Sequence, residues 1–134
     1  MAVVLCDFTQ ILGDGGVTIG DADNEWEASF NTGGREPGSP AFLLFNVRGL
    51  THTDVDVPVE INGSVVGTIR RYPGEETTRN YWFTQMIAVD GATLNNGNNT
   101  IRIEAVSWPG ASPGHLYDNF NLKNVVCFFH QQSS

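Results

Sequence analysis

The sequence predicts an all-β protein, an antiparallel β-sandwich of the jelly-roll type. Apolar and polar residues alternate with a period of two in several stretches, as in half-buried strands, and helical periodicity is absent. Fifteen glycines and six prolines among 134 residues indicate many turns. The length fits one domain, predicted over residues 1–134, and is sufficient for a hydrophobic core.

Strands in the first fifty residues are predicted from short apolar stretches that lie between turn-forming residues. "AVVLCDF", "GVTI" and "EWEASF" are short candidates. "AFLLFNVRGL" is apolar on both faces at its start, as expected for a central strand. These four predicted strands cover residues 2–8, 16–19, 25–30 and 41–50.

A β-hairpin is predicted next, around Asn62-Gly63, because both residues tolerate the positive φ of a type I′ turn. "VPVEI" before the turn places its valines and isoleucine on one face. After the turn come "SVVGTIRR", "YWFTQMIAV", "NTIRIEAV" and "FNLKNVVCFF". About eight strands separated by turns predict a sandwich or jelly roll. The later predicted strands cover residues 57–61, 64–71, 81–89, 99–106 and 120–129.

The two poles of such a sandwich differ in chemistry if successive strands cross it in alternate directions. The pole with the Asn62-Gly63 turn, here the lower pole, receives mostly Gly/Asn turns. The opposite, upper pole receives loops rich in aromatic and forked polar side chains, which are suited to binding. The lower-pole loops are 31–40, 62–63 and 90–99, and the upper-pole loops are 20–25, 51–56, 72–80 and 107–118.

Three segments resemble the galactose-binding-like jelly-roll superfamily and its carbohydrate-binding modules. They are "VEINGSVVGTI", "YWFTQMIAVDGATLNNGNNTIRIEAV" and "LYDNFNLKNVVCFF". The order of a V-x-I-N-G hairpin, a strand with a tryptophan at its start, an L-x-x-G-x-N-T-I-R-I segment and a last strand preceded by aspartate agrees with that superfamily over Pro58 to Phe129. The resemblance implies a sugar-binding cleft at the upper pole. In it an aromatic residue stacks on the sugar ring and an amide near the start of the last strand binds hydroxyls.

The candidate sugar-binding residues lie in the upper-pole loops and at the start of the last strand. Trp108 matches the stacking aromatic, since the axial C–H face of a sugar packs on an indole, and Asn119 matches the amide. The alternative for Trp108 is a side chain that covers the core beneath its loop. Planar or charged polar side chains would form hydrogen bonds with the hydroxyl groups of the sugar. The predicted sugar-binding set is Trp108, Asn119, Tyr72, Tyr81, Arg79, His115 and Asp54.

A structural calcium ion is a second expectation at the upper pole. Asp21, Asp23 and Glu25 alternate in one loop, a spacing at which oxygens can converge on a hard cation. The resemblance adds Asp118, which matches the aspartate that precedes the last strand. The usual Glu-x-Glu opening of the family is missing. The alternative is that these residues are solvated turn acids.

Charge and motifs exclude several function classes. The formal charge is −8 and Lys123 is the one lysine, which argues against nucleic-acid and anionic-membrane partners. The negative charge favours a neutral or cationic ligand, a metal ion, or simple solubility. No Gly-x-Ser-x-Gly elbow, phosphate loop or dinucleotide fingerprint occurs, so catalysis is not expected. No apolar run reaches the ~20 residues that a membrane-spanning helix needs.

The leading prediction is therefore a non-catalytic, lectin-like carbohydrate-binding domain. Binding at one such site is expected to be weak. Sugar hydroxyls exchange hydrogen bonds to water for hydrogen bonds to protein, with little net gain in free energy. Several copies would then act together, by homo-oligomerisation or by fusion to a partner domain. The rival prediction is a structural or assembly protein, such as a particle or appendage subunit.

Three smaller expectations complete the sequence analysis. Trp26 and Trp82 lie inside predicted strands and are predicted to be core residues. Cys6 and Cys127 are either buried thiols or one disulfide between the two ends of the chain. The first residues lack a basic segment and a long apolar segment, so the chain is expected to be cytosolic or a secreted domain expressed without its leader.

Overall fold

The computed structural model describes residues 5–74, 76–78 and 80–132, and nearly all regular structure in it is β-strand. Two short 3₁₀ turns, Glu76–Thr78 and Gly91–Thr93, complete the elements. The strands are β1 (Leu5–Leu12), β2 (Val17–Ile19), β3 (Glu25–Asn31), β4 (Ala41–Arg48), β5 (Val57–Ile61), β6 (Ser64–Ile69), β7 (Phe83–Val89), β8 (Asn98–Glu104), β9 (Ser107–Ser112), β10 (His115–Tyr117) and β11 (Phe120–Gln131).

The strands form two antiparallel sheets that pack around one core, which confirms the predicted β-sandwich of the jelly-roll class. The first sheet has the order β1-β11-β4-β7, and β2 also pairs with β11. The second sheet has the order β3-β8-β5-β6. β9 and β10 form a separate two-stranded hairpin. In the part of the chain that is described, no helix is long and apolar enough to cross a membrane.

The core consists of the inward-facing side chains that the two-residue period predicts. β4 alternates strictly between buried and half-buried residues, and the predicted inward positions of β5 are all buried. β8 likewise buries Ile101 and Ile103. Burial of side chains of this size is the main favourable contribution to folding. The largest fully buried side chains are Phe120, Ile19, Leu43, Leu50, Ile61, Ile69, Leu94, Ile101, Leu122, Val47, Val57 and Val59.

A bulge in β11 changes the spacing of its buried residues. The register with β4 shifts between Lys123 and Val126, and Asn124 lies in the left-handed region with φ 53°. As a result Leu122 and Val125, three residues apart, both face the core. Beyond the bulge the alternation resumes with Cys127 buried. The bulge thus leaves both lysine and asparagine on the outer surface of the sheet.

The prediction for Trp82 was wrong, whereas Trp26 packs partly buried against the core as predicted. Trp82 precedes β7, whose first residue, Phe83, packs against the core. Neighbouring residues of a strand face opposite sides, so Trp82 points outward. There it contacts Arg48 and Lys123, whose charged groups lie over its ring. Trp82 was predicted to be a core residue from its size alone, without considering which face of the strand its position occupies.

The segment 107–118, predicted as an upper-pole loop, contains the two short strands β9 and β10. Residues of β9 and β10 pair in an antiparallel hairpin, with His115 opposite Ser112 and Tyr117 opposite Ser107. Pro109 lies within β9, which as an edge strand tolerates a residue without an N–H donor. The hairpin gives Trp108 a defined position that an irregular loop would not.

The two poles form as the alternate-crossing hypothesis predicts. At the lower pole, buried Asn99 accepts hydrogen bonds from the Asn62 side chain at 2.9 Å and from the Asn95 backbone at 2.7 Å. At the upper pole, the Asp118 carboxylate accepts backbone hydrogen bonds from His52 at 2.8 Å and Thr53 at 2.7 Å. Each pole is therefore bonded together across loops that are distant in sequence.

The two cysteines are free thiols, so the disulfide alternative is excluded. Cys6 is exposed and pairs in register with His130, whereas Cys127 is buried and pairs with Thr9. The two side chains lie on opposite faces of the sheet because their register positions differ by three residues. Burial raises the pKa of the Cys127 thiol to about 12.

Candidate functional site

A cleft of about 300 Å³ lies at the upper pole and is named here the upper cleft. It is formed by the loop after β4, the β9–β10 hairpin, the two residues between β10 and β11, and Asn80. The lining residues are Gly49, Thr51, His52, Asn80, Trp108, His115, Tyr117, Asp118 and Asn119.

Trp108 is the largest side chain of the upper cleft. Its indole Nε1 donates a hydrogen bond to the His115 carbonyl at 3.2 Å, across the hairpin. The imidazoles of His52 and His115 lie 5.6 and 5.2 Å from the indole centroid, each roughly perpendicular to it. A Cβ added at Gly110 would overlap the indole, so glycine there lets the ring lie against the backbone. Among the described residues, Trp108 does not belong to the apolar side chains packed against the core.

Asn119 is fixed by Asp21 on the side of the upper cleft. Its Oδ1 accepts a hydrogen bond from the Asp21 backbone N–H at 2.7 Å, and its Nδ2 donates to Asp21 Oδ2 at 3.0 Å. One N–H and one lone pair of the amide remain for a ligand. Gly20 makes this approach possible, because a Cβ there would overlap Asn119 Oδ1.

The Asp21 carboxylate connects the loop before β3 to the β10 strand. Its Oδ1 accepts backbone hydrogen bonds from Leu116 at 2.6 Å and Tyr117 at 3.0 Å, and His115 Nδ1 lies 3.0 Å from Oδ2. Partial removal of water raises the pKa of this carboxyl, but the hydrogen bonds from Tyr117, Asn119 and Leu116 outweigh that effect and, with His115, lower the pKa below 3.8. Asp21 is therefore an ionised acceptor that holds cleft residues in place.

Asp118 holds a second segment of the upper cleft, the loop after β4, in the same way. Its buried carboxylate accepts the His52 and Thr53 backbone bonds, and His52 Nδ1 lies 3.6 Å from Oδ1. Thr51 Oγ1 lies 3.0 Å from the same imidazole nitrogen. The loop after β4 is thereby held beside the start of β11, with the imidazole of His52 facing Trp108.

The structure brings together some of the predicted sugar-binding residues and separates others. Trp108, His115 and Asn119 line the upper cleft together. Tyr72 lines a neighbouring cleft of about 630 Å³, where its hydroxyl bonds to Thr78 and its ring contacts Phe83. Tyr81, 66% exposed, and Asp54, also exposed, are not among the lining residues of the upper cleft. Arg79 lies outside the described residues.

Sequence reasoning missed His52, Thr51, Asn80 and Tyr117 as cleft residues. The segment 51–56 was expected at this pole, but nothing in the pattern favoured His52 over Asp54. The deciding feature is the pair of backbone hydrogen bonds from His52 and Thr53 to Asp118, which connects residues 65 and 66 positions apart.

Solved structures with this fold include carbohydrate-binding modules. A family 35 carbohydrate-binding module from Clostridium thermocellum matches with a TM-score of 0.53 and 14% identity, over 92% of this chain and 98% of that one. A family 35 module from an environmental isolate matches with a TM-score of 0.56 and 11% identity, over 98% and 87%. The predicted resemblance to these modules is thus confirmed for the fold. No protein-family model matches the chain, and neither does any curated protein sequence.

A larger protein contains the same fold as one part of its chain. A β-porphyranase of glycoside hydrolase family 86 from the human gut bacterium Bacteroides plebeius matches with a TM-score of 0.59 and 19% identity. The match covers 98% of this chain but only 21% of the β-porphyranase. At these identities the similarity concerns the fold.

The four carboxylates predicted to bind calcium do not form a cluster in this arrangement. Glu25 is bonded to Arg102 at 2.8 Å on the second sheet, which lowers the pKa of Glu25, while Asp21 and Asp118 accept N–H bonds. Within the described ranges, no three His, Cys, Asp or Glu side chains are grouped as a metal site would require. Calcium stays a prediction. A melting temperature that falls on chelation and recovers with calcium would support it, and an unchanged value would remove it.

Proposed function

We propose that this chain binds carbohydrate without catalysis, through the upper cleft. The observation that carries the proposal is the half-buried indole of Trp108 beside a set of planar polar side chains in one concave site. A saccharide needs this combination, because its ring has an apolar C–H face and a rim of hydroxyl groups.

The side chains of the upper cleft divide between stacking and hydrogen bonding. Trp108 offers its ring to the C–H face of a sugar. His52, His115 and Asn80 carry donors and acceptors for hydroxyls, and Asn119 adds the one N–H that Asp21 leaves free. Because Asp21 holds Asn119 and His115, and Asp118 holds His52, before a ligand arrives, little ordering entropy of these groups is lost on binding.

The absence of catalysis is proposed from the state of the carboxylates. A glycosidase places two carboxyl groups on either side of the scissile bond, one of them free to donate a proton. Asp118 is the one acid among the described residues that line the upper cleft, and its Oδ2 accepts two backbone hydrogen bonds. The likeness in fold to two carbohydrate-binding modules, over 98% and 87% of their own lengths, supports the same proposal.

A titration with matched aromatic variants tests the site. Wild type, Trp108→Ala and Tyr81→Ala are screened on a glycan array, and hits are measured by calorimetry. We expect Trp108→Ala to abolish binding with little change in melting temperature, because Trp108 is outside the core. Tyr81→Ala, which removes an exposed ring outside the upper cleft, should bind as wild type does. Absence of any hit for wild type, or equal binding by Trp108→Ala, would refute the proposal.

An apolar outer surface on the first sheet supports the proposal that several copies or a partner domain act together. Two rows of apolar side chains cross this surface in register, and Phe8 and Met86 are 62% and 63% exposed. Exposed apolar groups of this extent favour contact with protein. The outer apolar face consists of Phe8, Phe128, Phe42 and Ala88 in one row and Val126, Leu44 and Met86 in the next.

The same face favours the rival proposal, an assembly role without a sugar ligand. Sedimentation of wild type and of Phe8→Ser/Met86→Ser separates the two. If wild type associates and the double variant is monomeric but binds glycan at the same single-site affinity, association serves avidity. If wild type associates and binds no glycan, the assembly role replaces the lectin proposal. A monomeric wild type would reject association of copies through the outer apolar face and leave fusion to a partner domain as the proposal.

A further inference from the structure

A second polar cleft, named here the Trp82 cleft, lies on the outer surface of the first sheet and shares no lining residue with the upper cleft. Asn121 pairs in register with Thr18 on one side and with Arg48 on the other. Val47 pairs with Phe83, which puts Trp82 beside Arg48 at the end of the same row. The cleft measures about 230 Å³ and its lining includes these side chains together with Lys123 and Asp14.

Two cations converge on the indole of Trp82. Lys123 Nζ lies 4.3 Å and Arg48 Cζ 4.6 Å from the ring centroid. Cation–π attraction holds both charged groups at the ring, so they are positioned before a ligand binds. The chain has seven basic residues in all and one lysine, and yet two of its cations, the lysine among them, meet here. Positive charge is therefore concentrated at this cleft, although the chain as a whole has a net charge of −8.

The single acid of this cleft compensates only part of that charge. Asp14 Oδ1 lies 3.4 Å from Lys123 Nζ, and the Asp14 side chain is 83% exposed, so water screens the pair. Asn124 also donates to Asp14 at 3.1 Å. No ion pair with Arg48 is formed by the described carboxylates. A positive charge is therefore left for a ligand.

The turn that carries Asp14 is fixed to the sheet. Gly16 has φ +65°, and a Cβ there would lie 2.6 Å from the Leu122 carbonyl oxygen, so only glycine allows this approach. The Asn124 backbone N–H donates to the Gly13 carbonyl at 3.1 Å, which holds the other side of the turn. Both sides of the turn that forms this wall of the Trp82 cleft are therefore attached to β11.

We propose that the Trp82 cleft binds the anionic group of an acidic saccharide, a carboxylate or a sulfate ester. This inference rests on the proposed carbohydrate function and adds a second site with a different ligand class. Arg48 offers a planar fork for two oxygens, and Lys123 adds a point charge. Asn121, whose Nδ2 donates to Thr18 Oγ1 at 2.8 Å, and Thr18 border the cations and would bind neighbouring hydroxyls.

Paired ligands that differ only in charge test the inference. Free and methyl-esterified oligogalacturonate form one pair, and sulfated and desulfated galactan oligosaccharides form the other. We expect one charged member to bind about tenfold more tightly than its neutral partner, since charge-assisted hydrogen bonds are worth that much. The gain should decrease as salt is added. Inorganic sulfate alone serves as the probe for an ion without a sugar.

Variants of the lining residues test whether this gain in affinity for the charged ligand arises in the Trp82 cleft. Arg48→Gln and Lys123→Gln should each abolish most of it, while Arg71→Gln, which removes an equal charge from an exposed arginine elsewhere, should keep it. Asp14→Asn should increase the gain, because it removes a competing anion beside Lys123. Retention of the melting temperature shows that each variant is folded.

The failures of this inference and of the carbohydrate proposal are distinguishable. If neutral ligands bind through Trp108 and charge adds nothing, the inference fails and the proposed function stands. If the gain survives Arg48→Gln and Lys123→Gln, the anion binds outside the Trp82 cleft and the inference also fails. If only charged ligands bind, and through Arg48 and Lys123, the inference stands and the upper-cleft proposal fails. If inorganic sulfate binds as tightly as the sulfated sugar, the cleft is a simple ion site and the saccharide claim is overturned.

Discussion

Asn119 and Asp21, 98 residues apart in sequence, are joined at the upper pole by two hydrogen bonds in opposite directions. The Asp21 backbone donates to Asn119 Oδ1 at 2.7 Å, and Asn119 Nδ2 donates to Asp21 Oδ2 at 3.0 Å. The same carboxylate accepts from the backbone of Leu116 and Tyr117. One ionised side chain thereby sets the position of both the amide and the hairpin strand that face the upper cleft.

Replacing Asn119 by aspartate should damage this arrangement at neutral pH. The variant has the same shape, but it loses the Nδ2 donor and places a second negative charge against Asp21. We expect a melting temperature several degrees lower at pH 7 and a smaller deficit near pH 4, where one of the two carboxyls is protonated. Thermal unfolding followed by circular dichroism measures both.

Asn121→Asp is the matched control on the same strand. Asn121 is bonded to the neutral hydroxyl of Thr18 and is accessible to solvent, so its charge should cost little. Equal loss of stability in both variants would show that the Asn119–Asp21 contact has no special role.

Gly20→Ala should disrupt the upper cleft through a single methyl group. A Cβ at this buried position would lie 2.6 Å from Asn119 Cγ and closer still to its Oδ1, so the amide must leave Asp21. Overpacking of this kind costs about 1–3 kcal/mol in the free energy of unfolding. We expect a loss of that size in urea denaturation, together with weaker glycan binding.

Gly15→Ala provides the comparison for Gly20. A Cβ at Gly15 would meet no atom within 4 Å, and the residue has no positive φ, so the variant should be neutral or slightly stabilised. If Gly20→Ala unfolds at the same urea concentration as Gly15→Ala, the close packing of Asn119 against the backbone is not a constraint on this fold.

Sequence patterns predicted the fold and the pole of the cleft, because both depend on local alternation and on the direction of successive strands. Trp108, His115 and Asn119 were found in this way or through the family resemblance. The hydrogen bonds of Asp21 were not predicted, since a sequence does not show that the backbone N–H groups of Leu116 and Tyr117, 95 and 96 residues away, approach its carboxylate. Trp82 was predicted to be a core residue because of its size, although the alternation of strand faces places it on the outer surface beside the inward-facing Phe83.

Stability should fall in acid, and Asp21 should account for part of the fall. Hydrogen bonds and His115 lower the pKa of its carboxyl in the folded state below the ordinary 3.8. A group with a lowered folded pKa contributes stability above its unfolded pKa, and the contribution is lost as pH falls through the folded value. We expect wild type to be more stable than Asp21→Asn above about pH 4. The difference should narrow as pH falls below 3.8.

Urea unfolding of both proteins between pH 7 and pH 2.5 measures the difference. The lowered pKa values of Asp14 and Glu25 have the same sign and remain in both proteins, so their contributions cancel in the comparison. A constant difference between the two proteins over this range would contradict the role assigned to the ionised Asp21.

Asn99 at the lower pole should be essential for stability but not for ligand binding. Its buried amide accepts from Asn95 and Asn62 and donates to Thr32 Oγ1 at 2.8 Å and, more weakly, to the Phe30 carbonyl at 3.4 Å. Asn99→Ala leaves several of these groups without a partner, at about 1–3 kcal/mol for each group that stays buried. We expect the free energy of unfolding, measured in urea, to fall by about 3 kcal/mol or more in total, with an unchanged m-value.

The neighbouring Asn98→Ala separates this effect from a change in strand β8 itself. Asn98 is exposed, and its backbone pairs with Asn31 and accepts from the Asn95 side chain, contacts that alanine keeps, so the variant should lose little stability. Below the unfolding transition, both variants should bind glycan with wild-type affinity, because the network lies at the pole opposite the upper cleft. A loss below about 1 kcal/mol for Asn99→Ala would mean that water replaces the missing amide, and the lower pole would then not be held by this single side chain.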